Sequence, residues 1–115
     1  MAYGHAGPTH FAVEDLSIGR AQAGLAVIAP ADPGQTKSVM EALKTLDGPA
    51  YLRVGKGGNP EISGLNGRFA FGRPEVVLEG KDVLLIATGA ISASAHEAAT
   101  ALSSSGVSAA CAVMA

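Results

Sequence analysis

The chain has 115 residues, of which 48% are hydrophobic and 16% are charged, a composition typical of a folded globular protein and not of a disordered tail. Its formal net charge is −2 and its lysines and arginines are not clustered, which argues against a nucleic-acid surface. A single cysteine excludes an internal disulfide, and no apolar run approaches the roughly 20 residues that span a bilayer, so we expect a cytoplasmic protein without a membrane partner.

The first half of the chain predicts a helix followed by a βαβ unit. Apolar spacing after a possible N-cap at Thr9 predicts a helix over residues 9–20. The run GLAVIAP, residues 24–30, predicts a strand buried on both faces. Asp32 and Pro33 are suited to begin the next helix, and AYLRV, residues 50–54, predicts a second strand parallel to the first.

The second half also predicts alternating strands and a helix, after an unusual connection. GKGGNPEISGLNGRF, residues 55–69, contains five glycines and is either a linker or an ordered loop. PEVVLEG and KDVLLIATG predict two strands joined by a turn, and a helix over residues 91–104 and a strand over 107–114 follow. With nothing after it, this last strand would be an exposed apolar edge.

These elements predict an α/β protein made of two partial three-layer α/β pieces with mainly parallel sheets, joined by a glycine-rich linker. The expected boundaries are residues 1–57 for the first piece, 58–72 for the linker and 73–115 for the second piece. We expect both pieces to be incomplete, because each is short for an independent domain.

Few residues are candidates for chemistry. In AGPTH, Gly7 and Pro8 would fix a turn that holds His10 at a helix N-terminus, where it either contacts a ligand or satisfies a neighbouring carbonyl. We expect His96 to lie on a solvated helix face and Cys111 to be an inert buried thiol. Met40 is predicted to pack within its helix.

A set of collinear motifs resembles a known family. YGHAGPTHFAVEDLSIGRAQAGLAVIAPADP, followed by DGPAYLRVGK, resembles the later part of the pyrimidine-binding domain of thiamine diphosphate-dependent transketolases. GKDVLLIATGAISASAHEAATALSSSGVSA is similar to the opening of that family's C-terminal domain. The resemblance covers nearly the whole chain and implies an internal fragment of a transketolase-like polypeptide.

The resemblance implies roles for two residues, both in substrate binding. His10 matches the GPTH histidine, which in the family hydrogen-bonds the sugar substrate in the active-site channel. Arg53 matches the family's arginine at the end of a strand, which holds the substrate phosphate. A sugar phosphate requires a cationic fork at its tail and neutral hydrogen-bonding groups at its reacting end, so we expect both side chains to face one crevice.

The resemblance also identifies what this sequence lacks. The family binds the cofactor diphosphate and Mg²⁺ through a Gly-Asp-Gly motif, and its glutamate that contacts the aminopyrimidine lies upstream of GPTH; neither occurs here. Ala6 stands where many members have an aspartate that contacts a sugar hydroxyl. We therefore expect no catalytic, cofactor-binding or metal-binding residue in this chain, and no turnover by the chain alone.

The function implied is part of a transketolase that uses thiamine diphosphate and Mg²⁺ to transfer a two-carbon ketol unit between sugar phosphates. The full protein would be a homodimer or would contain this chain as a complementing subunit. One alternative is a related enzyme, similar to 1-deoxyxylulose-5-phosphate synthases or to the β subunits of 2-oxoacid dehydrogenases. The other is a non-catalytic α/β interaction module that uses Arg53 and the opening loop to recognise anions.

Overall fold

A computed structural model describes residues 12–115, which form α-helices and β-strands in alternation. The elements, in chain order, are α1 (Asp15–Arg20), β1 (Ala26–Ile28), α2 (Pro33–Leu43), β2 (Ala50–Leu52), β3 (Glu75–Leu78), β4 (Val83–Thr88), a short 3-10 turn (Gly89–Ile91), α3 (Ser92–Ser104) and β5 (Ala109–Met114). The α/β class predicted from the sequence is confirmed.

The predicted βαβ unit is present in the first half. Strands β1 and β2 pair in parallel, with Ala26 opposite Ala50, and α2 connects them. Helix α2 begins as its sequence predicts: the Gln35 amide donates to Asp32 Oδ1 at 2.7 Å, and Pro33 occupies the first turn, where no backbone donor is needed.

Helix α1 is shorter than predicted. It begins at Asp15, not at residue 9, and the preceding Ala12 and Val13 are exposed and outside the helix. The predicted helix is therefore wrong for residues 12–14, and Val13, which remains 71% exposed, would gain nothing from a helical position. The predicted N-cap Thr9 lies outside the described residues.

The second sheet has the order β3-β5-β4. Strand β5 runs parallel to β4 and antiparallel to β3, with an irregularity in register between Val76 and Leu78. The expectation that the last strand would be an exposed edge is wrong, because β3 covers the side of β5 that β4 leaves open. Cys111 and Val113 on β5 are fully buried as a result.

The glycine-rich connection packs against both halves. Ile62 and Leu65 are buried in one cluster with Ala31, which follows β1, and Val113 on β5. Leu65 is wholly inaccessible to solvent. Residues 59–68 therefore pack against the core through Ile62 and Leu65, while their assignment as part of a boundary between two domains stays a prediction.

Met40 on α2 is 50% exposed, so the prediction that it packs within its helix is wrong, and the buried apolar residue of that helix is Val39. Within residues 12–115, no helix is both long and apolar enough to cross a bilayer.

Candidate functional site

Arg53 lies at the carboxyl end of β2, as its position in the sequence predicts. Its backbone N–H donates to the Ile28 carbonyl at 2.9 Å, which extends the pairing of β1 and β2 by one residue. Its side chain is 45% exposed. The guanidinium Nε is 3.4 Å from Asp15 Oδ2, and Nη2 donates to the Ala12 carbonyl at 3.3 Å. Arg53 is thus anchored on one side and open to solvent on another.

Asp15 connects Arg53 to its neighbour on β2. The side chain of Asp15 is only 10% exposed, and its Oδ2 accepts a hydrogen bond from the Tyr51 hydroxyl at 2.8 Å. That hydrogen bond is the largest cause of a raised pKa for Tyr51, because the carboxylate favours the protonated phenol. Asp15, Tyr51 and Arg53 form a polar cluster at this edge of the first sheet.

The other oxygen of Asp15 is unusual. Asp15 Oδ1 is buried and has no hydrogen-bond partner within the described part of the chain. A buried carboxylate oxygen without a donor is unfavourable for folding.

A groove of about 380 Å³ begins directly after Arg53 in the chain. It is lined by Val54, by the glycines that follow, by Asn59 and by Thr36 and Lys37 from the first turns of α2. The carboxyl ends of parallel strands and the N-terminus of the connecting helix meet here, the usual place for ligands in α/β sheets. Arg53 itself is not among the residues that line this groove.

A second polar network holds the glycine-rich segment in place. Asp32 Oδ2 accepts a hydrogen bond from the Ile62 amide at 3.0 Å, while Oδ1 caps α2. Gln35 accepts from the Ala31 amide at 2.9 Å and donates to the Arg68 carbonyl at 3.0 Å. Both Asp32 and Gln35 are buried and hydrogen-bonded through both polar atoms, which is typical of a structural role.

A wider groove of about 510 Å³ lies between α2 and this segment. Its charged lining residues are Asp32, Lys37, Glu41 and Glu61. Because the acidic residues outnumber the single lysine, the groove offers no concentrated positive charge for a phosphate.

Three other candidate residues of the sequence are His10, His96 and Cys111. His10 lies outside the described residues, so its presence in one crevice with Arg53 stays a prediction. His96 is half-buried on α3, and its carbonyl accepts a hydrogen bond from the Thr100 hydroxyl at 2.9 Å. Cys111 is fully buried, as predicted, and burial raises the pKa of its thiol.

Residues 12–115 contain no group of three His, Cys, Asp or Glu side chains placed to hold a metal ion. The sequence also contains no Gly-Asp-Gly motif. The expectation that this chain holds no cofactor-binding or metal-binding residue stays a prediction.

The comparison with protein families decides the relationship. Residues 1–60 match the family model of the transketolase pyrimidine binding domain, which is just over half of the chain. The chain belongs to the transketolase family. The part matched includes both Arg53 and the Asp15 cluster, and it ends where the glycine-rich segment begins to pack against the core.

Individual relatives extend the transketolase match to nearly the whole chain. A 6-deoxy-6-sulfo-D-fructose transketolase subunit of Clostridium sp. (strain MSTE9) is 35% identical over 103 residues, covering 90% of this chain and 32% of the relative. One of the subunits of an apulose-4-phosphate transketolase of Phocaeicola vulgatus is 30% identical over 110 residues, covering 95% of this chain and 35% of the relative. The chain thus spans about a third of the length of these relatives.

Solved transketolase structures share the fold. A split-gene transketolase in an inactive β4 tetramer has a TM-score of 0.85 and 40% identity, over 92% of this chain and 35% of the solved one. A transketolase of Pichia stipitis in complex with sedoheptulose 7-phosphate has a TM-score of 0.83 and 25% identity, over 95% of this chain and 17% of the solved one. The arrangement of both sheets in this transketolase-family chain is therefore that of known transketolases.

Sequence reasoning finds Arg53 but misses the roles of Asp15 and Tyr51. In the sequence, Asp15 is only part of a Glu-Asp-Leu motif and Tyr51 only part of Tyr-Leu-Arg. The signal available is the alternation along β2, which places Tyr51 and Arg53 on the same side of the strand. The partner of that pair, 36 residues away from Tyr51, cannot be read from local spacing.

Proposed function

We propose that this chain is part of a thiamine diphosphate-dependent transketolase that transfers a two-carbon ketol unit between sugar phosphates. Membership of the transketolase family implies dependence on thiamine diphosphate. In this proposal Arg53 binds the substrate phosphate and His10 hydrogen-bonds the oxygens at the reacting end. The observation that carries the proposal is the anchored, half-exposed guanidinium of Arg53 at the carboxyl edge of the first sheet.

Arg53 has the chemistry that the phosphate requires. A guanidinium remains charged at all physiological pH values and presents donors in a planar fork that matches phosphate oxygens. Its position at the end of a parallel strand is one at which α/β proteins bind ligands. Phosphorylated sugars are also named in the P. stipitis complex and in the relative from P. vulgatus.

The remainder of the active site is proposed to come from outside this chain. Several relatives are named as separate transketolase subunits, and the one from Methanocaldococcus jannaschii is named as a C-terminal section. These names favour a complementing subunit or a longer polypeptide as the source of the cofactor diphosphate site. We propose that the chain alone binds no thiamine diphosphate and catalyses no turnover. Calorimetric titration with thiamine diphosphate and Mg²⁺ tests this, and tight binding to the isolated chain would contradict it.

The test of the main proposal is the holoenzyme, assembled from this chain and the polypeptide that supplies the cofactor site. For Arg53→Ala we expect KM for a phosphorylated aldose acceptor to rise about 10- to 100-fold, since charge-assisted hydrogen bonds are lost. KM for the same sugar without phosphate should stay unchanged. Arg73→Ala, which removes another exposed arginine, is the matched control. Equal losses with both sugars would rule out a phosphate contact for Arg53.

His10 is tested separately with the same pair of acceptors. Because His10 is proposed to contact the reacting end, His10→Asn should lower kcat/KM for phosphorylated and non-phosphorylated sugars by the same factor. A loss confined to the phosphorylated sugar would place His10 at the phosphate instead.

A second candidate is a reaction like that of 1-deoxy-D-xylulose-5-phosphate synthase. Relatives of that name, such as the one from Prochlorococcus marinus, are 33% identical over 106 residues and cover 90% of this chain but 16% of the relative. Formation of 1-deoxy-D-xylulose 5-phosphate by the holoenzyme, without ketol transfer between sugars, would favour this second function.

A further inference from the structure

Asp15 has an environment that its helix does not explain. It is the first residue of α1, where a carboxylate is favourable, but an exposed side chain would serve the helix equally well. The Asp15 side chain is instead nine-tenths buried against β2, with Oδ1 unpartnered within residues 12–115. Burial of a carboxylate with one unsatisfied oxygen opposes folding. The contacts of the other oxygen, Oδ2, therefore indicate what Asp15 does.

Those contacts orient the Arg53 side chain. Asp15 Oδ2 lies beside Nε of Arg53, and the Ala12 carbonyl accepts from Nη2. Together they engage one edge of the guanidinium plane, and neither contact involves Nη1. A guanidinium held at Nε presents its remaining donors in a fixed direction, which reduces the conformational entropy lost when it binds an oxyanion.

Tyr51 fixes Asp15 in turn. The hydroxyl of Tyr51 donates to the same Oδ2 at 2.8 Å, so the carboxylate is held between a phenol and a guanidinium that project from the same side of β2. Tyr51 is 37% exposed, so its ring is only partly buried.

We propose that Asp15 is a positioning residue, held by Tyr51, that orients the guanidinium of Arg53 toward the phosphate group of the substrate. The proposal rests on the proposed function, in which Arg53 binds that phosphate. It adds two residues, Asp15 and Tyr51, which do not touch the substrate but determine how well Arg53 binds the phosphate.

The test combines kinetics of the holoenzyme with a double-mutant cycle. For Asp15→Asn we expect KM for a phosphorylated acceptor to rise about three- to fivefold, the effect of losing one partly exposed ion pair, with kcat and the non-phosphorylated acceptor unchanged. In the Arg53→Ala background, Asp15→Asn should have no further effect, because nothing remains to be oriented. Asp15→Glu should restore part of the loss, and Glu14→Gln, at the exposed neighbouring carboxylate, is the matched control.

Tyr51→Phe provides a second variant if Asp15→Asn does not fold. It retains the charge of Asp15 but removes the hydroxyl that holds it, so a smaller rise in KM for the phosphorylated acceptor is expected. Spectrophotometric titration of the holoenzyme, with the titration of the Tyr51→Phe holoenzyme subtracted, reads the cluster without catalysis. The pKa of Tyr51 should fall toward the ordinary tyrosine value in Asp15→Asn, and no change in that pKa would overturn the proposed arrangement.

The outcomes separate the two proposals. An unchanged or lower KM in Asp15→Asn, together with the expected loss in Arg53→Ala, would overturn the role of Asp15 and leave the function of Arg53 standing. An additive loss in the double variant would also overturn it, since Asp15 would then act independently of Arg53. No effect of Arg53→Ala would instead remove the proposed function itself.

Discussion

The glycine-rich segment and the second sheet share a core cluster, but different interactions hold them there. The segment, residues 59–68, is fixed by hydrogen bonds from side chains. Asp32 accepts from the Ile62 amide, Gln35 donates to the Arg68 carbonyl, and the Arg68 guanidinium donates to the Val76 carbonyl at 2.7 Å. Only Ile62 and Leu65 of this segment enter the core.

The second sheet is held by close packing of small residues. Ala99 on α3 and Ala109 and Cys111 on β5 are all inaccessible to solvent and form one cluster. Side chains this small allow the helix and the strand backbones to approach closely. The segment is therefore held by hydrogen bonds of particular polar atoms, whereas the sheet is held by close packing of small side chains. Substitutions that remove one kind of interaction should affect the two regions differently.

Gly80→Ala should have the largest effect, because it breaks the packing of the second sheet. A Cβ at Gly80 would lie 2.2 Å from the Ala109 carbonyl carbon, and the backbone cannot move aside cheaply. We expect a loss of about 3 kcal/mol or more in the free energy of unfolding, measured by urea denaturation with circular dichroism.

Gly106→Ala is the matched control for that substitution. A Cβ there meets no atom within 4 Å, and only the positive φ of 89° opposes it. The expected cost is about 1 to 2 kcal/mol. Equal costs at the two glycines would contradict the steric explanation for Gly80.

Asp32→Ala should have the next largest effect, because it removes the polar attachment of the segment. The variant loses the cap of α2 and leaves the buried Ile62 amide without an acceptor, so we expect about 2 to 4 kcal/mol of destabilisation. Asp32→Asn retains one acceptor and should lose about half as much. Hydrogen exchange at the Ile62 amide should accelerate in both variants, and an unchanged rate would show that Asp32 does not hold the segment.

Cys111 distinguishes volume from polarity within the second sheet. Cys111→Ala leaves a small cavity and should cost about 1 kcal/mol. Cys111→Ser preserves the volume but buries a hydroxyl, and should cost about 1 to 3 kcal/mol. If the serine variant proved the more stable of the two, the position would be less apolar than its burial indicates.

The native thiol of Cys111 should also react slowly with a disulfide reagent. Burial raises its pKa and so lowers the thiolate fraction at neutral pH, and the reaction should become fast in denaturant. Fast reaction of the native protein would indicate that β5 is accessible.

Lys44→Ala should have the smallest effect and sets the baseline for both regions. Lys44 pairs with Glu41 on α2, but both side chains are more than 60% exposed, so water competes for the pair. The expected change is below about 0.5 kcal/mol in the free energy of unfolding. A larger loss would mean that the exposed pair of Lys44 and Glu41 contributes more to the stability of α2 than its exposure indicates.

Much of the local structure was predictable from the sequence. The cap at Asp32, the proline after it and the apolar runs that form β1 and β5 are all readable from neighbouring residues. The collinear motifs around Arg53 are enough to identify the family. The prediction for helix α1 fails at its start because apolar spacing over residues 12 and 13 indicates packing, while those side chains face solvent.

The candidate site was predictable only in part, because its residues come from distant parts of the chain. Arg53 stands in a motif, but the rest of α1, the elements β1, α2 and β2, and the loops between them separate it from its partner Asp15. Nothing in the spacing of Glu14 and Asp15 indicates that one is exposed and the other nearly buried.

The sequence by itself determined the elements, the parallel βαβ unit and the family, because caps, periodicity and motifs act over a few neighbouring residues. Only the tertiary structure decided that β5 lies between β3 and β4, that Ile62 and Leu65 belong to the core, and that Asp15 holds Arg53. Each of these depends on contacts between residues far apart in the chain, and such contacts are fixed by how the sheets and helices pack together, not by any local pattern.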